Sequence, residues 1–201
     1  LVVDKTSGKP VLNNPVEPTM EPGFSDISGH WAEARIKQAS SNGIINGYPD
    51  GTFNPGKNVT RAEFSVMLMG ALNSQKEEVE LVFSDKTEIG TWAKMAVSQA
   101  VQEGIISGYP DDTFRSNANI TRAEMVVMVA NALKVSNIDN ATTSFADDKS
   151  IPVWAKTSVE TLKELGLVEG MGNNEFKPKA QTTRAEAVVI LMNMLDKTKA
   201  E

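Results

Sequence analysis

Cysteine is absent from the 201 residues of this chain, and histidine occurs once, at His30. Without cysteine there is no disulfide, no thiol nucleophile and no cysteine-ligated zinc site. A single histidine leaves little from which to build a histidine-based metal site or a catalytic triad. Paired carboxylates could carry out acid–base catalysis, but no such pair stands out. The sequence therefore predicts that the chain is not an enzyme and holds no metal and no cofactor.

Long hydrophobic segments and basic clusters are missing as well. The longest apolar runs lie near residues 64–72 and 125–130, and they are far too short to span a bilayer. The formal net charge is −6 and no arginine-rich run occurs, which argues against a nucleic-acid partner. The N-terminal residues lack the basic segment and following apolar stretch of a signal peptide. If the protein is exported, we expect this sequence to be its mature form or a piece of a longer chain. We predict neither nucleic-acid binding nor membrane insertion.

What the chain does contain is a repeat. The tetrapeptide Thr-Arg-Ala-Glu occurs three times, starting at Thr60, Thr121 and Thr183, at intervals of 61 and 62 residues. Each copy also keeps one phenylalanine, one of the three tryptophans and one glycine in the same register: Phe24, Phe83 and Phe145; Trp31, Trp92 and Trp154; Gly43, Gly104 and Gly166. A unit of about 60 residues buries only a marginal core alone, so the three copies are predicted to form one composite body.

The predicted organisation is a proline-rich linker at 1–23, repeat 1 at 24–82, repeat 2 at 83–144, repeat 3 at 145–196 and a polar tail at 197–201. Each repeat is predicted to hold two helices. The first follows the tryptophan, carries an apolar stripe such as Ala32, Ile36 and Ala39, and ends at the repeated glycine in a left-handed conformation. The second starts at the tetrapeptide and is apolar on nearly every side, which is typical of an interior helix. The predicted fold class is all-α, with three helical repeats around a central three-helix bundle.

The loop between the two helices reads Gly-Tyr-Pro-Asp-Gly-Thr-Phe from Gly47 and Gly-Tyr-Pro-Asp-Asp-Thr-Phe from Gly108. Pro-Asp-Gly favours a turn at Asp50, and Asp111 is interpreted in the same way. The flanking segments 44–45 and 52–53 are predicted to pair as a tiny β-ribbon. Repeat 3 begins the same loop at Gly170 but lacks the tyrosine, the proline and the aspartate, so its loop differs from the other two.

The motifs Phe-Ser-Asp, His30-Trp31-Ala32, the segment 43–53 and the tetrapeptide resemble those of the surface-layer homology (SLH) family over residues 24–195. The resemblance implies a pseudo-threefold helical spindle that attaches surface-layer proteins or exocellular enzymes non-covalently to a secondary cell-wall polysaccharide. The ligand, typically a polysaccharide with pyruvate ketals on N-acetylmannosamine, is expected in grooves between neighbouring repeats. The partner is thus expected to be a pyruvylated cell-wall polysaccharide, and the location the cell wall or surface layer outside a Gram-positive-type bacterium. We expect a monomer that is itself a pseudo-trimer.

The tetrapeptide divides into residues with different roles. Its Thr and Glu have the spacing of a capping box, which satisfies two backbone donors at a helix start. Its Arg places a cation in the first turn, which is unfavourable by about 0.3–1 kcal/mol against the helix dipole. An anionic ligand at the free N–H groups of the helix start could compensate for Arg61, Arg122 and Arg184, and the resemblance implies the pyruvate carboxylate. The residues alone leave open a structural salt bridge to Asp26, Asp85 or Asp147, in which case the chain is a protein-interaction scaffold.

The other candidate ligand-binding residues each have a structural alternative. Trp31, Trp92 and Trp154 are either core anchors or flat apolar faces for a sugar ring, and Tyr48 and Tyr109 are candidate groove walls. Gly47, Gly108 and Gly170 satisfy a positive φ or a tight turn, and they also let a ligand approach the backbone. Asp26, Asp85 and Asp147 are interpreted chiefly as turn caps, with contact to sugar hydroxyls as the second reading.

Overall fold

The computed structural model describes residues 23–136 and 141–199 of the chain. Residues 1–22 of the predicted linker and the last two residues of the predicted tail lie outside this part. Six α-helices follow one another, together with two short 3₁₀ helices at Lys86–Glu88 and Asp148–Ser150. The α-helices are α1 Glu33–Ser41, α2 Arg61–Leu72, α3 Thr91–Gln102, α4 Arg122–Ala132, α5 Val153–Glu164 and α6 Arg184–Thr198. The described residues form no β-sheet, so the all-α prediction is confirmed.

The outer helices α1, α3 and α5 bury the stripe that the sequence predicted. In α1 the buried side chains are Ile36 and Ala39, and the equivalent residues of α3 and α5 are buried as well. The first glycine after each outer helix has the predicted left-handed backbone, with φ of 70° at Gly43, 72° at Gly104 and 71° at Gly166. A residue without Cβ adopts this conformation without strain and ends the helix there.

The central helices α2, α4 and α6 begin at the three tetrapeptides. In each, the Thr hydroxyl accepts the N3 backbone N–H and the N3 Glu accepts the Thr backbone N–H, so all three capping boxes are confirmed. Most of their side chains are buried, and α6 packs against both α2 and α4. Helix α6 continues to Thr198, so Lys197 and Thr198 of the predicted polar tail are helical. None of the helices within the described ranges has the length and apolar character needed to cross a membrane.

Packing joins each outer helix to the central helix of a different repeat. Helix α3 packs on α2, α5 packs on α4, and α1 packs on α6, which closes the order into a ring. A single repeat would leave the apolar face of its central helix uncovered, because the covering helix belongs to the next repeat. The core is therefore shared by all three repeats, as the small size of each copy predicted.

The extended segments before the central helices meet at the centre of this ring. Val59 N–H donates to Thr182 O at 2.9 Å, Ile120 N–H to Val59 O at 2.9 Å, and Thr182 N–H to Ile120 O at 3.1 Å. These three hydrogen bonds form a closed cycle with one donor and one acceptor from each repeat.

The tiny ribbon predicted within repeat 1 does not form, because the described residues show no pairing between 44–45 and 52–53. Tyr48 and Thr52 instead close a turn, in which the Tyr48 N–H donates to Thr52 O at 2.8 Å. The isolated β-bridges of the described chain run between repeats, at Asn58–Thr183, Thr60–Asn119 and Thr121–Gln181. The groups of 44–45 and 52–53 have other partners: Ile44 N–H donates to Ala39 O at 2.9 Å, and Phe53 N–H donates to Asp26 at 2.8 Å.

Candidate functional site

Three grooves lie between the repeats, and each takes its parts from all three. An arginine comes from one repeat, a loop and a capping glutamate come from the next, and a tryptophan comes from the third. The first, called the Arg61 groove, has a volume of about 440 Å³ and is lined by Arg61, Gly108, Tyr109, Glu124 and Trp154 together with the apolar residues Ile105, Ile106, Val127 and Met128.

The other two grooves repeat this plan. The Arg184 groove has a volume of about 280 Å³ and is lined by Arg184, Gly47, Tyr48, Glu63 and Trp92 among others. The Arg122 groove has a volume of about 340 Å³ and is lined by Arg122, Gly170, Met171, Glu186 and Trp31 among others. The structure therefore brings the predicted Arg, Gly, Tyr and Trp residues together, and Met171 stands where the other two loops have tyrosine.

The backbone N–H groups at the helix starts are already hydrogen-bonded. In α2, Arg61 N–H donates to Ala118 O at 2.9 Å and Ala62 N–H to Ser116 O at 3.1 Å, both in the loop of repeat 2. The third N–H, from Glu63, donates to the Thr60 hydroxyl at 3.2 Å. The helices α4 and α6 receive the equivalent carbonyls from repeats 3 and 1: Ala180 and Pro178, and Lys57 and Pro55. The expectation that free helix-start N–H groups help to bind an anion is wrong, because the neighbouring repeat occupies them.

The arginine side chains make no salt bridge with the aspartates that the sequence suggested. Asp26 accepts the backbone N–H of Phe53 at 2.8 Å and of Asn54 at 2.7 Å, and Asp85 and Asp147 hold the loops of their own repeats in the same way. Over the ranges that the structure covers, no ion pair joins Arg61, Arg122 or Arg184 to a carboxylate. The salt-bridge alternative is therefore wrong.

Arg61 is held by aromatic rings and not by hydrogen bonds. Its side chain is buried, with 7% of the residue exposed, and its guanidinium carbon lies 4.9 Å from the Tyr109 ring centre and 5.3 Å from that of Phe114. The Nε atom is buried without a hydrogen-bond partner. Burial lowers the pKa of Arg61, against the opposing effect of Tyr109 and Glu124. A guanidinium remains protonated despite such a shift, so a buried positive charge faces this groove.

Arg184 and Arg122 occupy equivalent positions but are bonded differently. Arg184 is 8% exposed, and its Nε donates to Phe53 O at 2.9 Å and its Nη2 to Asn46 O at 3.0 Å. Arg122 donates once, from Nη2 to Glu169 O at 2.6 Å, and its Nε has no partner. Burial lowers the pKa of Arg122. The three arginines thus differ in how many N–H groups the protein itself uses.

Tyr109 and Glu124 form a fixed pair in the Arg61 groove. The Tyr109 hydroxyl donates to Glu124, which also accepts the Thr121 N–H at 2.8 Å. Burial and this hydrogen bond raise the pKa of Tyr109 to about 12. Burial opposes ionisation of Glu124, but the bonds from Tyr109 and Thr121 outweigh it and lower the pKa of Glu124. Arg115 stacks on the Tyr109 ring at 4.0 Å, so the ring is held between two cations.

The Arg184 groove holds its tyrosine with another partner. Lys57 Nζ donates to the Tyr48 hydroxyl at 2.9 Å, and this bond raises the pKa of Lys57. Neither Lys57 nor the groove position of Glu63, Glu124 and Glu186 was predicted. The Thr-x-x-Glu spacing correctly predicted that the glutamates cap the helices. It could not predict which groove each carboxylate borders, because the groove also takes residues from the other two repeats.

The tryptophans lie at the surface, so the core-anchor reading is wrong. Trp31 is 67% exposed, Trp92 60% and Trp154 57%. The residue after each of them, an alanine, occupies the buried position at the start of the outer helix and leaves the indole outside. Each tryptophan borders one groove.

The glycines and aspartates have clear structural roles. A Cβ at Gly47 would lie 2.7 Å from Thr52 O, and one at Gly108, where φ is 81°, would lie 2.7 Å from Phe83. Asp50 accepts the Thr52 N–H at 3.0 Å, which confirms it as a turn residue. Asp26, Asp85 and Asp147 are not among the residues that line the three grooves. Contact of these aspartates with a sugar stays a prediction.

Comparison with known proteins places the repeats in a family. The family model described as "S-layer homology domain" matches residues 23–65, 82–126 and 144–188. The chain is 39% identical to an amylopullulanase of Thermoanaerobacterium thermosulfurigenes over 87% of its own length and 10% of that protein's. It is 37% identical to a cellulosome-anchoring protein of Acetivibrio thermocellus, over 66% of this chain and 30% of that protein.

A more distant match is the S-layer protein EA1 of Bacillus anthracis, 28% identical over 82% of this chain and 19% of that protein. The chain therefore spans less than a third of the length of each of these three relatives. Three matches to the family model, each beginning within a residue or two of the phenylalanine that opens a repeat and running into its central helix, show that the chain belongs to the S-layer homology domain family and carries three tandem copies of that domain.

Proposed function

We propose that this chain is a non-catalytic module that anchors a surface-layer protein or an exocellular enzyme to the cell wall of a Gram-positive-type bacterium. In this role it binds a pyruvylated secondary cell-wall polysaccharide in the grooves between repeats. The observation that carries the proposal is the composition of each groove, in which an arginine without a carboxylate partner (buried for Arg61 and Arg184, half-buried for Arg122) lines the same groove as an exposed tryptophan.

The chemistry of the grooves suits a sugar that carries a carboxylate. A guanidinium offers a planar fork of N–H donors that matches a carboxylate in geometry and charge. An indole offers a rigid apolar face with little conformational entropy to lose, which suits the C–H face of a sugar ring. A pyruvate ketal places both groups within one monosaccharide.

The relatives support an anchoring role over a catalytic one. The same segment is found in an amylopullulanase, in a cellulosome-anchoring protein and in an S-layer protein, and it is a minor part of each. A segment shared by an enzyme and by proteins named for anchoring or surface layers fits a role that all of them need, which is attachment. The catalytic activity of such an enzyme then belongs to the rest of its chain.

The competing function is a scaffold in which the arginines only join the repeats. Arg184 favours it, because both of its hydrogen bonds go to backbone carbonyls of repeat 1. A scaffold of this kind would need no carbohydrate and would be indifferent to pyruvylation.

A wall-binding assay separates the two functions. Purified wall with its pyruvylated polysaccharide is compared with the same wall after the ketals are removed by mild acid. The anchoring function predicts that the protein sediments with the first wall and stays in solution with the second. Equal binding to both walls, or binding to neither, contradicts it.

The matched control in this assay is Arg35→Gln. Arg35 lies on α1 outside the grooves and pairs with Asp196 at 2.6 Å, so its substitution removes one positive charge without touching a groove. We expect Arg35→Gln to sediment like the unchanged protein, whereas simultaneous substitution of Arg61 and Arg122 by Gln releases the protein from the wall. If Arg35→Gln releases it equally, binding depends on overall charge and not on the grooves.

A further inference from the structure

We infer that the Arg61 groove is the principal carboxylate-binding site of this chain, and that Arg184 is a structural residue that joins repeat 3 to repeat 1. This inference rests on the proposed function, since it assigns the carbohydrate to one of three grooves. It also departs from the sequence motifs, because the Arg184 groove carries the full Gly-Tyr-Pro-Asp-Gly loop and would be the first choice from sequence.

The argument begins with backbone carbonyls that are equivalent in the three repeats. Arg184 binds two of them, Phe53 O and Asn46 O. Arg122 binds only the equivalent of the second, Glu169 O. The equivalent carbonyls for Arg61 are Phe114 O and Ser107 O, and its guanidinium donates no hydrogen bond to these or to any other atom in the described part of the chain. The protein thus uses two donors of Arg184, one of Arg122 and none of Arg61.

A buried cation whose N–H donors have no partner is stabilised when a ligand accepts hydrogen bonds from them. A guanidinium has five N–H donors, and buried polar groups without a partner are uncommon in folded proteins. The rings of Tyr109 and Phe114 stabilise the positive charge of Arg61 through their faces without using an N–H group. The guanidinium is therefore held in position, charged, with its hydrogen-bonding capacity left for a ligand.

The space in front of Arg61 is the largest of the three grooves. Its volume is about 440 Å³, against about 280 Å³ for the Arg184 groove. The apolar side chains of Ile105, Ile106, Val127 and Met128 border it, and Trp154 stands at its edge. A sugar can thus place its ring against apolar surface while its carboxylate reaches Arg61.

Glu124 limits the charge that this groove accepts. It is held ionised beside Arg61 by its hydrogen bonds from Tyr109 and Thr121. One positive and one negative group then share the groove, so a carboxylate is attracted only where it contacts Arg61 directly, and a ligand with several adjacent negative charges is repelled by Glu124. The ligand class is a monosaccharide unit with one isolated carboxylate.

The tryptophans allow a test on the unchanged protein, because each of them borders one groove. Trp154 reports on the Arg61 groove, Trp31 on the Arg122 groove and Trp92 on the Arg184 groove. The three indole N–H signals are followed by ¹⁵N NMR while the pyruvate ketal of methyl N-acetylmannosaminide is added. The expected result is that the Trp154 signal shifts at a concentration about tenfold lower than the Trp92 signal, in line with one lost charge-assisted hydrogen bond or more.

The matched probe is the methyl ester of the same ketal, which has no charge. We expect the ester to shift the Trp154 signal only at a concentration at least about tenfold higher than the acid does. If Trp92 or Trp31 responds to the acid at a lower or equal concentration, the assignment to the Arg61 groove is overturned. Equal responses to acid and ester overturn the role of Arg61 as carboxylate receptor.

The wall-binding assay tells apart the failure of this inference and that of the proposed function. If no indole responds to the ketal although the protein sediments with pyruvylated wall and not with the acid-treated wall, only the inference fails. If the protein sediments with neither wall and no indole responds, both fail.

Discussion

The Arg61 groove and the Arg184 groove are assembled from equivalent residues of the three repeats, but their arginines have different partners. Both guanidinium groups are buried against a tyrosine and a phenylalanine ring. Arg184 then bonds two backbone carbonyls of repeat 1, whereas Arg61 leaves the equivalent carbonyls of repeat 2 unused. The comparison teaches that one position of a repeated motif can be hydrogen-bonded within the protein in one copy and left without hydrogen bonds in another.

The tyrosines of the two grooves differ in a similar way. Lys57 donates to the Tyr48 hydroxyl, but the equivalent position in repeat 2 is Ala118, which has no donor to offer. The Tyr109 hydroxyl donates to Glu124 instead. The tyrosine thus accepts a hydrogen bond in one groove and donates one to the capping glutamate in the other.

The largest effect is expected for Arg184→Gln compared with Arg61→Gln. Loss of Arg184 leaves Phe53 O and Asn46 O without their partner, and we expect the free energy of unfolding to fall by about 2–4 kcal/mol. Arg61→Gln removes a buried cation that makes no hydrogen bond to the described residues, and we expect a change within about 1 kcal/mol. Urea unfolding followed by circular dichroism measures both. Equal losses would show that the two arginines are both structural.

A smaller effect, equal in all three repeats, is expected for Thr60→Ala, Thr121→Ala and Thr183→Ala. Each substitution removes the side-chain acceptor of one capping box, which costs about 0.5–2 kcal/mol of stability. Thermal unfolding of the three variants checks this. If the three variants lose clearly different amounts of stability, the helix starts differ between repeats as the arginines do, and the difference between repeats is not confined to the grooves.

Tyr109→Phe is expected to cost more stability than Tyr48→Phe. The first removes a hydrogen bond to a half-buried carboxylate, and we expect a loss of about 1 kcal/mol. The second removes the bond from Lys57 to Tyr48 in an exposed setting, and we expect less than about 0.5 kcal/mol. Chemical denaturation of the two variants gives the difference. If Tyr48→Phe is the more damaging change, Glu124 does not hold Tyr109 as described.

Ionisation of Tyr109 has the smallest expected effect on stability at neutral pH, and its effect becomes clear only at alkaline pH. Its pKa is raised to about 12, so its contribution to stability is fully present below the usual tyrosine pKa of about 10 and is lost as pH rises from there through about 12. In Tyr48→Phe, Tyr109 is the only tyrosine, and its ultraviolet absorbance near the phenolate band is then followed against pH. A midpoint near 10 in the folded protein would contradict the bond to Glu124.

The fold was predictable because its signals are local. The period of the apolar residues, the Thr-x-x-Glu caps and the glycines after the outer helices each act within a few residues, and all of them form as expected. The ribbon prediction for 44–45 and 52–53 failed because those groups have other partners: Ile44 N–H donates to Ala39 O at the end of α1, and Phe53 N–H donates to Asp26. Local turn preference contains no information about that competition.

For the candidate site, the sequence predicted which residues take part but not how they are bonded to one another. The recurrence of Arg61, Arg122 and Arg184 identified them as candidates, since a cation in the first helical turn needs a reason. The reasons proposed from sequence were an ion pair with aspartate or an anion at free N–H groups. Neither could be judged without the loop of the next repeat, which supplies carbonyls to those N–H groups and rings to the guanidinium groups.

The sequence by itself determined the number of repeats, the all-α class, the helix starts and the Arg, Gly, Tyr and Trp residues among those that line the grooves. These properties follow from short-range spacing and from the burial of apolar faces, which every copy repeats. The tertiary structure alone decided that each groove combines three repeats, that the tryptophans are exposed, and that Arg184 is bonded while Arg61 is free. The physical reason is that hydrogen bonds between repeats depend on which carbonyl lies within reach of which N–H group, and identical tetrapeptides meet different neighbours.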